Sequence, residues 1–331
     1  MNYDIFNGDA DGVIALLQWR FAYPEAQPHQ LITGVKRDIK LLNKIKPTKG
    51  DLVTVFDISM SKNESALTKV LSAGANVFYA DHHMAPKDYQ HLNLEAHIDL
   101  DPNTCTSLIV NNLLNGQFQE WAIAAAYGDN MLSAADNLAD SMGLSNEQKQ
   151  QLQEVGVLIN YNGYGSCLED LNFEPADLYR KLTQYQNPFD LVKDAESPYH
   201  VLKQAYSQDM VMLERAMPLY ESGVMELYIL PNNASSRRVS GIFGNQLANK
   251  NPTKAFAVLT TNPLNSKGHV TYTVSLRAPL NNKQGAAQIC SNFDTGGGRE
   301  AAAGINELED DDIGTLIALI EEKYDLTMPK R

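Results

Sequence analysis

The sequence predicts an α/β protein, and three observations predict it. Short apolar runs of strand length alternate with helical patterns through the first third of the chain. The middle is mostly helical, and strand-like runs return after Gly223 around one further helical segment.

In order, "YDIF" reads as a strand and "GVIALLQWRFAY" as the helix after it. "QLITGV" and "DLVTVFDIS" are strands, "NESALTKVLSAG" a helix, and "NVFYAD" and "AHIDLD" strands again. Apolar strands separated by helices suggest a parallel sheet covered on both faces. From "TCTSLIVNNLL" onward, "EWAIAAAYGDNMLSAADNLADSM", "EQKQQLQEVGVLINY", "PADLYRKLTQY" and "PYHVLKQAYSQDMVMLERAMPLYES" carry helical spacing. "VMELYIL", "AFAVLTT" and "HVTYTVSLRA" are the later strands, with helical "VSGIFGNQLAN" between the first two. The expected organisation is a parallel-sheet domain over 1–195, a connecting helix over 196–223 and a smaller α/β domain over 224–331, with the active site in the cleft between the domains. "ELEDDD" is expected to start a helix, and Arg237 and Arg238 to lie on a solvated helix start.

A chain of 331 residues has material for two cores. With 44% hydrophobic residues and no continuous apolar stretch of spanning length, no membrane partner is expected. "MNYDIF" has no features of an export leader. Cys105, Cys167 and Cys290 are too scattered for a disulfide framework or a zinc site, so a cytoplasmic location is expected. The 27 basic and 40 acidic residues leave a net charge of −13, which argues against a general grip on long nucleic acid and still allows a local pocket for a small anion. A homodimer is compatible with the sequence.

The residues that suggest chemistry stand at predicted strand ends, where α/β folds place their ligands. Asp9 and Asp11 of "NGDADG" follow the first strand, Asp57 ends "VTVFD", and Asp81, His82 and His83 follow "NVFYA". Asp129 interrupts the Ala-rich helical pattern of "AAAYGDN" and could turn to the same edge. Singly, each has an ordinary reading as a helix cap or a satisfied polar residue. Together they would form a carboxylate cluster in which each pair at ~4 Å repels by about 4 kcal/mol at an effective dielectric of ~20. Divalent cations relieve that repulsion, and a set of carboxylates with one or two imidazoles suits manganese or magnesium. Such a centre hydrolyses phosphate esters.

In this order, the motifs resemble the DHH phosphoesterase family, whose triplet is Asp81-His82-His83 here. "TGGGREAAAG" is similar to the glycine-rich signature of the family's associated C-terminal domain. The resemblance implies two manganese ions, with magnesium as the alternative. Asp9 and Asp57 would hold one, and Asp11, Asp57, His82 and Asp129 the other. It implies that His83 contacts the scissile phosphate or the leaving oxygen and that Asp81 orients an imidazole. Two departures stand near the first ion. Ile5 is found where many relatives carry histidine, and Asn7 where the family's single-strand exonucleases carry aspartate. A third is Arg299, in place of the usual histidine after Gly296, Gly297 and Gly298. Those glycines would let backbone N–H groups approach an anion, and Arg299, with Arg277 as a weaker candidate, would bind substrate phosphate.

The function expected from the resemblance is manganese-dependent hydrolysis of short oligonucleotides or dinucleotides to nucleoside monophosphates. A phosphatase for nucleoside bisphosphate or pyrophosphate and a catalytically weak nucleotide sensor remain open alternatives.

Overall fold

The computed structural model of the chain describes residues 1–24, 29–87, 89–265 and 268–325, in two units, Met1–Tyr206 and Ser207–Arg331. In the first unit, β1 (Asn2–Phe6) leads through Asp9 into α1 (Ala10–Ala22), then β2 (Gln30–Ile32), β3 (Leu52–Phe56), α2 (Met60–Ser72), β4 (Asn76–Asp81) and β5 (Leu94–Ile98). Helices complete it: α3 (Thr106–Leu113), α4 (Gln119–Gly128), α5 (Leu132–Ser141), α6 (Asn146–Gly163), α7 (Pro175–Leu182), α8 (Pro188–Lys193) and α9 (Pro198–Met210), the last running past the division.

The five strands are parallel in the order β2-β1-β3-β4-β5. The connections after β1 thus leave to opposite sides of it, and the switch point lies between β1 and β3, where open α/β sheets bind ligands. Strand alternation divides the core between two faces. Phe6, Phe56 and Ala80 pack with α1, whereas Ile5, Val55 and Tyr79 pack with Leu67 and Val70 of α2. Ile5 therefore belongs to the core beneath α2. Every residue of α1 from Ala10 to Gln18 is buried, as expected for a helix apolar on all sides and packed against α3, α4 and α6.

Sequence periodicity joined α4 and α5 into one helix, and the structure separates them. Asn130, at φ 59°, takes a left-handed turn that an L-residue helix cannot continue, so Asp129 is the C-cap of α4. Close packing fixes that cap. A Cβ on Gly128 would stand 2.7 Å from Ala10 Cβ and 2.8 Å from Gly156 O, and one on Gly156 would run into Ala124 O. Gly156→Ala is expected to force α4 from α6 at a cost of about 1–3 kcal/mol, read as a lower urea midpoint for the first unit. A midpoint equal to the parent's would show that the helices separate freely.

The second unit contains β6 (Tyr220–Glu221), β7 (Met225–Leu230), α10 (Ala234–Lys250), β8 (Ala255–Thr261), β9 (Thr271–Arg277), α11 (Ala286–Cys290), β10 (Gly296–Gly298), β11 (Ala302–Glu309) and α12 (Ile313–Tyr324). Its sheet runs β10-β11-β9-β8-β7-β6 and is antiparallel except at β7 and β8, which α10 connects. The stretch 196–223 holds all of α9, a 3-10 turn at Val211–Arg215 and β6. Asp310–Asp312 form a 3-10 turn before α12, while Glu307–Glu309 still belong to β11. Arg238 is not a solvated helix-start residue: its Nε donates to Asp209 Oδ2 at 2.7 Å, with the pair largely buried.

Candidate metal centre

The candidates of the first unit gather at the switch point. Asp9 N-caps α1, its Oδ1 accepting the Gly12 N–H at 3.1 Å. Asp11, in the first turn, is buried and reaches across to α3, where Oδ2 accepts Thr106 N–H at 2.8 Å and Oδ1 accepts Ser107 N–H at 2.7 Å. Because the N-cap residue of α3, Cys105, provides no side-chain cap, Asp11 satisfies that helix's open donors from 95 positions away.

Asp57 follows β3 at φ 56°, a left-handed conformation that costs an aspartate about 1–3 kcal/mol and is typical of functional sites. Its Oδ1 accepts Thr106 Oγ1–H at 3.3 Å and lies 3.3 Å from His82 Nε2. His82 Nδ1 stands 2.9 Å from Thr104 O, an atom that can only accept, so Nδ1 carries a proton and Nε2 is the nitrogen whose lone pair the neutral ring offers to an ion. Around that nitrogen are also Asp11 Oδ2 at 3.7 Å and Asp129 Oδ2 at 3.9 Å.

This donor set fits a hard divalent ion. Asp57, His82 and His83, and likewise Asp11, His82 and Asp129, each bring ligand atoms within 4.8 Å of one another. Among the described residues no lysine or arginine pairs with Asp11 or Asp57. Burial pushes the Asp57 carboxyl well above its usual range, and the charges of Asp9 and Asp11 push it further. A divalent ion would remove that penalty.

His83 stands apart from its neighbour. Nδ1 is 2.7 Å from Asp81 Oδ1, and its side chain is 28% exposed against 4% for His82. Asp81 is fully buried and holds the ring, leaving Nε2 available to solvent or substrate.

Reading the sequence for acids and imidazoles overlooked Lys36. Its Nζ lies 2.6 Å from Asp9 Oδ2 and 3.7 Å from Asp129 Oδ1, and donates to Asn160 Oδ1 at 3.1 Å. It also stands 5.2 Å from the centre of the Tyr164 ring. Burial works against the ammonium, but Asp9, Tyr164 and Asp129 outweigh it and hold the pKa above the ordinary lysine range. Burial likewise opposes the Asp9 carboxylate, and Lys36 keeps its pKa below the usual value. The available signal was position: Lys36 follows β2, the strand beside β1, at the same sheet edge. Asn7 contacts it too, Nδ2 donating to Lys36 O at 3.2 Å, while Asn7 Oδ1 is buried without a hydrogen-bond partner.

The remaining candidates lie in the second unit. Gly296, Gly297 and Gly298 form the edge strand β10, paired with Ile305, Gly304 and Ala303. A Cβ at Gly298, φ 148°, would stand 2.5 Å from Ala303 Cα, so this residue is required for the strand pairing itself. Arg299 follows at the turn, its N–H donating to Ala302 O at 2.9 Å. Arg277 is held internally: Nε donates to Asn245 Oδ1 at 2.5 Å, Nη2 to Gly241 O at 3.0 Å and Nη1 to Ser275 Oγ at 3.0 Å.

No protein-family model matches the chain, and no curated protein matches it. Solved structures do. The fold is similar to that of RecJ from Thermus thermophilus in complex with Mn2+, at a TM-score of 0.54 and 14% identity over 99% of this chain and 52% of that one. This chain thus spans about half the length of that protein. It is similar along nearly both whole lengths to the pGpG-specific phosphodiesterase PggH from Vibrio cholerae, at a TM-score of 0.54 and 13% identity over 97% of this chain and 98% of that one. A third similar structure is an exonuclease RecJ bound to manganese, at a TM-score of 0.52 and 14% identity over 99% and 90% of the two chains. Identities this low establish likeness of fold.

Proposed function

We propose that this chain, which has the fold of the DHH phosphoesterases, is a manganese-dependent phosphodiesterase that hydrolyses dinucleotides or short oligonucleotides to nucleoside monophosphates. The observation that carries the reading is the position of His82 Nε2, its ring oriented by the Nδ1 contact to Thr104 O, among the carboxylates of Asp11, Asp57 and Asp129. Those four residues would hold the ion. When bound, it supplies Lewis acidity and an activated water for attack on phosphorus.

The chain's own groups do the rest. His83, with Nδ1–H donating to Asp81, faces outward with Nε2, and when protonated it donates to a phosphate oxygen or to the leaving oxygen. Asp81 stabilises the resulting positive ring and fixes its orientation. The short-substrate reading is supported by PggH, whose described substrate is a dinucleotide and whose length matches this chain. The net charge of −13 agrees with it. We assign Arg299 to a substrate phosphate away from the cleaved bond. Arg277 is the weaker candidate because its guanidinium is engaged within the second unit. We retain the edge glycines as the support of that arginine. A cytoplasmic location belongs to the same proposal.

With manganese, a linear dinucleotide should yield nucleoside monophosphates. Release of inorganic phosphate from a nucleoside bisphosphate or pyrophosphate, without diester cleavage, would overturn the reading. His83→Ala should lower turnover by about 10²–10⁴-fold while the manganese content stays at the parent's level. Loss of the metal in that variant would make His83 a ligand instead.

A further inference from the structure

The two candidate ligand triplets meet at His82, and its Nδ1 is taken by Thr104 O. One nitrogen with one lone pair binds one ion. The triplets therefore describe a single position bounded by Asp11, Asp57, His82 and Asp129, with His83 at its edge.

Asp9 belongs to neither triplet. One of its oxygens caps α1 through Gly12, and the other meets Lys36 Nζ at 2.6 Å. The ammonium stands 2.6 Å from Asp9, donates to Asn160 at 3.1 Å and has the Asp129 carboxylate 3.7 Å away as a further counter-charge. Its backbone is fixed as well, with N–H donating to Gly163 O at 2.8 Å and the carbonyl accepting Asn7 Nδ2 at 3.2 Å. Lys36 is therefore held at both ends, and it neutralises the aspartate that a second ion would need. An additional divalent cation on Asp9 would stand beside a lysine ammonium whether it took the oxygen that meets Lys36 or the one that caps α1, so charge repulsion rather than a lack of lone pairs opposes it. The adjoining positions add little to attract it: Ile5 is buried in the opposite core, and Asn7 offers only an uncharged oxygen.

We propose that Lys36 is the resident cation at the Asp9 end of the centre and that the protein operates with one divalent ion, in place of the two that the family resemblance implies. This rests on the phosphoesterase reading. The lysine is a positioning residue: it keeps Asp9 and Asp129 apart in charge and holds the loop after β1 against α6.

The test is the metal content of the full chain equilibrated with manganese, by elemental analysis, together with the paramagnetic resonance spectrum of the bound ion. The parent should hold one manganese per chain with the spectrum of an isolated ion. Lys36→Met, which exposes the Asp9 and Asp129 carboxylates to each other, should double the content and give an exchange-coupled pair. Lys36→Arg, which keeps the charge, should remain at one. Two ions in the parent would overturn the proposal, and so would a folded Lys36→Met protein that still holds one. Should Lys36→Met fail to fold, the parent's content and spectrum decide between one ion and a coupled pair. No bound manganese in the parent would instead remove the phosphoesterase reading, an outcome distinct from a count of two.

Discussion

Asp57→Asn is expected to abolish manganese-dependent hydrolysis, by at least about a hundred- to a thousandfold, and at the same time to make the metal-free protein more stable at neutral pH. The first effect follows from loss of the charge nearest His82 Nε2. The second follows from linkage. Burial and the neighbouring Asp9 and Asp11 raise the folded-state pKa of Asp57, so the folded chain binds this proton more tightly than the unfolded chain does. Stability from the protonated group is fully present below the unfolded value of about 3.9 and is lost as pH rises through the folded value. Asparagine is never charged and avoids that loss. It also tolerates the φ of 56° that Asp57 adopts, and its side-chain oxygen can still accept from Thr106. In chelator-treated samples the variant should melt above the parent at neutral pH, and the two should converge in acid. A variant less stable than the parent at neutral pH would show that the Asp57 charge is already compensated without metal.

Manganese should invert that order. A ligand that binds only the folded chain adds about 2.7 kcal/mol at a free concentration of 100 times its dissociation constant. For a unit of this size that is a rise of roughly 5–10 °C in Tm. The rise should appear in the transition of the first unit, because Asp11, Asp57, His82 and Asp129 all lie within Met1–Tyr206. Calorimetry of chelator-treated protein with and without manganese measures it directly. An unchanged first transition would eliminate the centre as a metal site.

The acidic and imidazole groups were legible because strand ends can be read from local pattern: an apolar run followed by Asp9, Asp57 or Asp81 places a carboxylate at a sheet edge. Strand order was not legible. Periodicity says nothing about which strands pair, so the switch point between β1 and β3 emerges only from the observed β2-β1-β3-β4-β5 order. Lys36 was missed for a related reason, since a lone lysine after a short strand has no signature until its carboxylate partners are found 27 and 93 positions away. Asp129 was recognised as out of place in an apolar helix, but the left-handed Asn130 beside it, which ends α4, is a backbone property that alanine-rich periodicity conceals. Arg238 shows the converse error. A charged pair at a helix start reads as solvated, yet one member finds Asp209 in the preceding helix.

Asp11 leads two lives, and they constrain descent differently. Its oxygens both face the proposed ion position and accept the first backbone N–H groups of α3, a cap whose loss costs about 0.5–2 kcal/mol. Asp57 accepts one long hydrogen bond from Thr106, against which stand a destabilising charge and a strained backbone when no metal is bound. In a lineage that abandoned catalysis, purifying selection on folding alone would keep Asp11 and release Asp57. Substitution there, with Asp11 intact, would mark paralogues that have become pseudoenzymes. An aspartate surviving at the first motif is thus a poor marker of activity in this fold, and the residue after β3 is the informative one.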